Sequence, residues 1–211
     1  MVIVKSFRKK TTRQWLTLLM LIFPLGCATT PLTQFYTLNG QARAPLRAQA
    51  DQKPCAGKVI AVGPVQFPRY LDRPQIVSRV GPNKLIVNEF HRWGGSLEED
   101  FLRVISVNLA TLLDHQQWVI YPSRDKYPID FRIAFDIQQM DGRLGEGVIL
   151  NARWTLWRQP QNKPVLIRQV RYREQANATG FEAFVSAMSS AVADLSRDIS
   201  EALARQCSMH D

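Results

Sequence analysis

The stretch from Ile129 to Trp157, IDFRIAFDIQQMDGRLGEGVILNARWTLW, decides the fold. In its first part Ile129, Phe131, Ile133, Phe135 and Ile137 are apolar, and Asp130, Arg132, Asp136 and Gln138 stand between them. A period of two puts the apolar set on one face of a β-strand and the polar set on the other. After Asp141-Gly142-Arg143-Leu144-Gly145-Glu146-Gly147 the pattern returns in Val148, Leu150, Ala152, Trp154 and Leu156. Two alternating runs around a glycine-rich turn predict an antiparallel hairpin, Ile129–Gln139 against Val148–Trp157, turning across 141–147. A third strand near Pro164–Glu174 extends it.

On the C-terminal side, Thr179 and Glu182 make a capping box ahead of an apolar stripe. Phe181, Phe184, Val185, Met188, Val192, Leu195, Ile199 and Leu203 recur at helical spacing, and such a stripe is core. Before the hairpin, Ser96 and Glu99 cap a second helix whose stripe is Leu97, Phe101, Val104, Ile105, Leu109, Leu112 and Leu113, ending near His115. Shorter strands are predicted at Thr33–Leu38, Lys58–Phe67 and Trp118–Tyr121. Ile76–Val80 and Lys84–Phe90 form a hairpin split by Gly81-Pro82-Asn83, and residues 40–54 form a polar loop. Strands, helix, strands, helix make one α/β domain: a mixed sheet with two main helices packed on it.

The N-terminus is of another kind. Lys5, Arg8, Lys9, Lys10 and Arg13 precede WLTLLMLIFPL, residues 15–25, and no acidic residue occurs before Gly26. That run has the length of an export-signal core, and a spanning helix would need roughly 20 apolar residues. Leu25-Gly26-Cys27 resembles the bacterial lipobox, with Pro24 departing from its usual leucine. The expected division is a signal peptide over 1–26, a lipidated tether, strand and loop over 27–56, and the main domain over 57–206. Acyl chains on Cys27 would replace a span, because each buried CH₂ contributes about 0.8 kcal/mol and one chain anchors only marginally. Ala28, where the sorting rule places Asp for inner-membrane retention, favours the outer membrane.

Removing residues 1–26 from 211 leaves 185, one ordinary domain. The signal carries five of the 27 basic residues and none of the 18 acidic ones, so 22 − 18 gives a mature charge of +4 rather than the whole-chain +9. The signs alternate along the chain, which suits a mild attraction to anionic headgroups and not nucleic acid. With Cys27 acylated, Cys55 and Cys207 remain in an oxidising compartment, either bonded to each other or as separate thiols. His91, His115 and His210 stand at no metal-ligand spacing, no Cys pair suits zinc, and the 142–147 glycines lack the Lys and Ser/Thr of a phosphate loop. No catalytic residue, cofactor or metal site is predicted.

Two segments stand apart from this. Val62-Gly63-Pro64-Val65 is followed by PRYLDRPQIVSR, residues 68–79, and NEFHRW, residues 88–93, precedes the first capped helix. With the lipobox and Asn151-Ala152-Arg153-Trp154, they resemble the ABC-type transport auxiliary lipoproteins, the PqiC/YmbA family, over nearly all of the mature chain. The resemblance implies a three-layer α/β sandwich like the amino-terminal domain of TolB, and a non-enzymatic partner of an MCE-domain protein, an ABC permease and an ATPase. Such a lipoprotein faces the periplasm and docks a lipid-transport assembly at the outer membrane; the alternative is a structural envelope lipoprotein without a transport role. Its oligomeric state stays open, a homo-oligomer included. Pro68 and Pro74 stiffen a loop whose Arg69, Tyr70, Asp72, Arg73 and Gln75, with Arg92 and Trp93, are the candidate partner-binding residues. Tyr and Arg are enriched at interfaces, although Tyr70 and Leu71 equally suit core plugs, and Asp72 with Arg73 an internal pair.

Overall fold

The computed structural model describes residues 31–41, 55–114, 117–122, 128–159 and 161–209. Cys27, the whole signal region, most of the 40–54 loop and His115 lie outside them. From Thr33 onward the chain is one compact unit.

The hairpin forms as its alternation predicts and runs further than predicted. β6 (Phe131–Arg143) pairs antiparallel with β7 (Gly147–Arg158), and β8 (Lys163–Gln175) pairs with β7. β2 (Ile60–Gln66) lies parallel to β6, and β5 (Trp118–Ile120) lies parallel to β2, giving the order β5-β2-β6-β7-β8. The remaining strands form a second, three-stranded sheet instead of joining the first. β3 (Gln75–Arg79) pairs antiparallel with β4 (Leu85–Trp93), and β1 (Gln34–Tyr36) lies parallel to the end of β4. β4 thus runs past the expected end at Phe90 and carries the HRW triplet.

Two helices complete the mixed α/β fold: α1 (Leu97–Leu113) and the long α2 (Phe181–Ser208), which packs across β7, β8 and α1. The even-numbered residues of β7, Val148 to Leu156, and the odd-numbered ones of β6, Phe131 to Ile137, are buried beneath them. Phe101 of α1 meets Phe135 edge-on at 5.4 Å between ring centres. Between the helices the buried Asn108 donates to Ser196 Oγ at 3.2 Å and accepts the Gln41 N–H at 3.1 Å.

Both helix starts were predicted, and one needs correction. Ser96 caps α1, its Oγ accepting the Glu99 N–H at 3.4 Å. At α2 the cap is Gly180 with φ of 113°, and no side chain caps the helix. Phe181 stacks on His91 at 3.7 Å between ring centres, and that contact, rather than a Thr179 hydroxyl, fixes how the chain enters the helix. At the other end of α2, Cys207 is joined to Cys55 across 152 residues. Such a closure restricts the unfolded chain by about 5 kcal/mol on the loop-entropy account.

The glycine-rich segment is more strand than turn. Pairing continues to Arg143 opposite Gly147, so the turn shrinks to 144–146. Gly142 and Gly147 are needed for close approach: a Cβ at Gly142 would stand 1.9 Å from the Gly147 carbonyl oxygen, and one at Gly147, whose φ is +144°, would stand 2.1 Å from that of Glu174. Gly142→Ala should therefore destabilise the protein by about 2–3 kcal/mol through forced strand displacement, while Gly81→Ala, which meets open space, should stay within about 0.5 kcal/mol. Urea melts of the two variants check this; equal stabilities would contradict it.

Candidate docking surface

One extra residue in β6 positions the site. The register slips between Ile137 and Gln139, so Gln138 is a β-bulge and the inside-outside alternation reverses beyond it. Met140 then joins Ile137 on the helix side, and Asp141 turns to the opposite face, where the small sheet lies. Asp141 is fully buried. A buried carboxylate is tolerated only when its lone pairs are filled. Here Arg79 donates through Nε at 2.6 Å and Nη2 at 3.0 Å, Tyr70 through its hydroxyl at 2.7 Å, and Gln139 through Nε2 at 2.7 Å. Burial first, then the bond to Asp141, pushes the Tyr70 phenol well above the ordinary tyrosine range. The Asp141 bond raises the Arg79 guanidinium as well.

This anchor decides which way the Arg69–Gln75 segment faces. Leu71 N–H donates to the Pro68 carbonyl at 2.9 Å and Arg73 N–H to the Leu71 carbonyl at 2.9 Å, winding the segment into consecutive tight turns. Leu71 is buried and Tyr70 half-buried, so both point inward, and Arg69, Asp72, Arg73 and Pro74 are left exposed. Trp93 is in the core, its N–H donating to the Pro74 carbonyl at 2.7 Å. Gln75 and Arg92 sit opposite each other in the register and share Glu89: Gln75 Nε2 lies 3.3 Å and Arg92 Nη2 3.5 Å from Oε2. The candidate residues therefore separate. Tyr70 and Trp93 hold the fold, Gln75 and Arg92 form a half-exposed pair around Glu89, and Arg69, Asp72 and Arg73 face outward.

Asp72, Arg73 and Pro74 also wall a cleft of about 450 Å³ with Gly95, Ser96 and Glu98 at the start of α1; Phe67 and Leu71 line it from within. The first of the two segments singled out in the sequence thus meets the start of α1 at an open groove, and NEFHRW, residues 88–93, lies outside its lining. Sequence reasoning missed Arg79 and Asp141. Asp141 precedes a glycine and reads as a turn residue, and only the bulge at Gln138 carries it to the small-sheet face. Among the described residues no cluster of His, Cys, Asp or Glu is placed to hold a metal, and no helix is long and apolar enough to cross a membrane.

What these features define is an α/β domain that presents a stiff, charged loop beside a helix start. The sequence matches the family model of the ABC-type transport auxiliary lipoprotein component over residues 36–200. The protein belongs to that family. Its membership implies association with an ABC transport system and with the cell envelope. The fold is also that of a crystal structure of a Xanthomonas campestris protein of family DUF330, at TM-score 0.68 and 15% identity, covering 83% of this chain and 99% of that one. A crystal structure titled only as an uncharacterized protein matches at TM-score 0.65 and 16% identity, over 82% of this chain and 99% of that one. No curated protein matches significantly.

Tyr70 gives a pH test of the anchor. Its phenol is held above the unfolded value, so its stabilising share is complete below about pH 10 and is lost as pH rises beyond it. Tyr70→Phe should cost about 1 kcal/mol near neutrality and make the alkaline decline shallower. Urea melts from about pH 8 to about pH 11 check this; a slope unchanged by the substitution would contradict it.

Proposed function

We propose that this protein is the periplasm-facing lipoprotein subunit of an MCE/ABC-type lipid-transport system. Cys27, acylated after removal of residues 1–26, anchors it in the outer membrane. The exposed Arg69, Asp72 and Arg73, with the Gln75/Arg92 pair beside them, dock the MCE-domain protein, and through it the permease and ATPase. The protein works by holding that assembly at the membrane, without a reaction or cofactor of its own.

The observation that carries this reading is the family match over 36–200, taken with the exposure of Arg69 and the placing of Asp72 and Arg73 at the groove beside α1. A loop held by Tyr70 and Leu71 loses little conformational entropy on binding, and a preorganised surface of that kind favours a stable contact. Arg and Tyr suit such contacts, but Tyr70 is committed to Asp141, so the arginines are the residues a partner meets.

Arg73→Ala should leave the melt within about 0.5 kcal/mol of wild type, as exposed substitutions do, and lower recovery of the MCE-domain protein in a crosslinked pulldown. Tyr70→Ala should lower stability and recovery together. Full recovery with stable Arg73→Ala and Arg69→Ala variants would remove the docking assignment. Independently, Cys27→Ser should abolish acylation, measured by mass spectrometry.

A further inference from the structure

Eleven large hydrophobic side chains are exposed among the described residues, and five of them, Phe35, Val80, Ile86, Val87 and Phe90, belong to the three-stranded sheet or its hairpin turn. Phe35 is 67% exposed, Val80 51% and Phe90 38%. Ile86 and Val87 are consecutive in β4 and point to opposite faces, so what these side chains share is the exposed long edge of the small sheet and its ends, not one face. The strand pairing leaves them uncovered. β1 lies only against His91–Trp93, so among the described residues the edge of β4 from Leu85 to Phe90 has no strand beside it opposite β3.

Chain direction says what covers this surface. β1 is parallel to β4, with Gln34 beside His91, so the N-terminal end of β1 points along β4 toward Leu85. That end of the small sheet carries Ile86 and Val87, and the hairpin tip with Val80 and the exposed Lys84. Only seven residue steps separate Gln34 from Cys27, at most about 25 Å of extended chain. An acylated Cys27 therefore keeps β1 within that distance of the headgroups, on the side where the edge of β4 is uncovered, and we propose that Phe35, Val80, Ile86, Val87 and Phe90 rest along this edge in the bilayer interface with Lys84 toward lipid phosphates. The inference rests on the Cys27 anchor and adds to it a protein surface in contact with lipid. It also fixes the orientation of the domain, because apolar side chains seated in the interface stop it from turning freely on its tether.

Photo-crosslinking in the full chain, expressed in its own envelope, tests it. Benzoylphenylalanine replaces Phe35, Phe90 or, as a control exposed on β8, Ile167. After irradiation, mass spectrometry reads phospholipid adducts and, in the same samples, acylation of Cys27. The expected result is acylated Cys27 with phospholipid adducts at Phe35→benzoylphenylalanine and Phe90→benzoylphenylalanine ~5-fold or more above those at Ile167→benzoylphenylalanine, as interfacial seating requires. Acylated Cys27 with adducts no higher than at Ile167, or with adducts to a second copy or another protein in place of lipid, overturns the lipid-facing surface and leaves the anchor standing. Unacylated Cys27 overturns both.

Discussion

A carboxylate with no exposed surface sets the terms for the rest of this molecule. Asp141 sits where the small sheet meets the main one, and its oxygens accept from Arg79 of β3, Tyr70 of the preceding loop and Gln139 of its own strand. Removing any of these donors would leave part of a buried charge unmatched, so β3, the loop and β6 are held in one arrangement. The inward turn of Tyr70 and Leu71 follows from that arrangement. So does the outward turn of Arg69, Asp72 and Arg73. The face proposed for docking thus follows from the contacts that Tyr70 and Arg79 make with Asp141 on the inner side of the loop.

The helices and the hairpin were legible because their signals are local. Alternation in β6 and β7 and the Ser96–Glu99 box each depend on neighbours a few residues away, and the chain obeys them. What stayed hidden depends on distant partners. The bulge at Gln138 has no marker in the sequence, and without it the alternation places Asp141 on the helix side. Thr179 and Glu182 have the spacing of a cap, but the stacking of Phe181 on His91, 90 positions earlier, overrides them. The division into two sheets was equally illegible, since β1 finds its partner in the HRW end of β4 and not in the strand that follows it. At the candidate site, a stiff proline-flanked loop could be read from the residues. Which of its side chains face inward required Asp141 to be seen.

Three further ties act on the same scaffold. The Cys55–Cys207 bridge fastens the start of the main domain to the end of α2. Asp100 of α1 accepts from the Leu38 N–H and from Thr37, drawing the segment after β1 onto the helix. Tyr172 of β8 donates to Asp198 of α2, which pins the outermost long strand. Together they tie the segment after β1, α1, β8 and the end of α2 into one compact unit.

Native-state hydrogen exchange on Asp141→Asn tests the central claim most directly. Neutralising the carboxylate takes away the charge that Arg79 and Tyr70 answer, with almost no change in volume. The account predicts that the amides of Leu71, Arg73 and β3 lose protection, while the β6–β7 ladder and the interior of α2 keep theirs, because local opening tracks local contacts. Protection unchanged across the loop and β3, or lost uniformly throughout the domain, would contradict it.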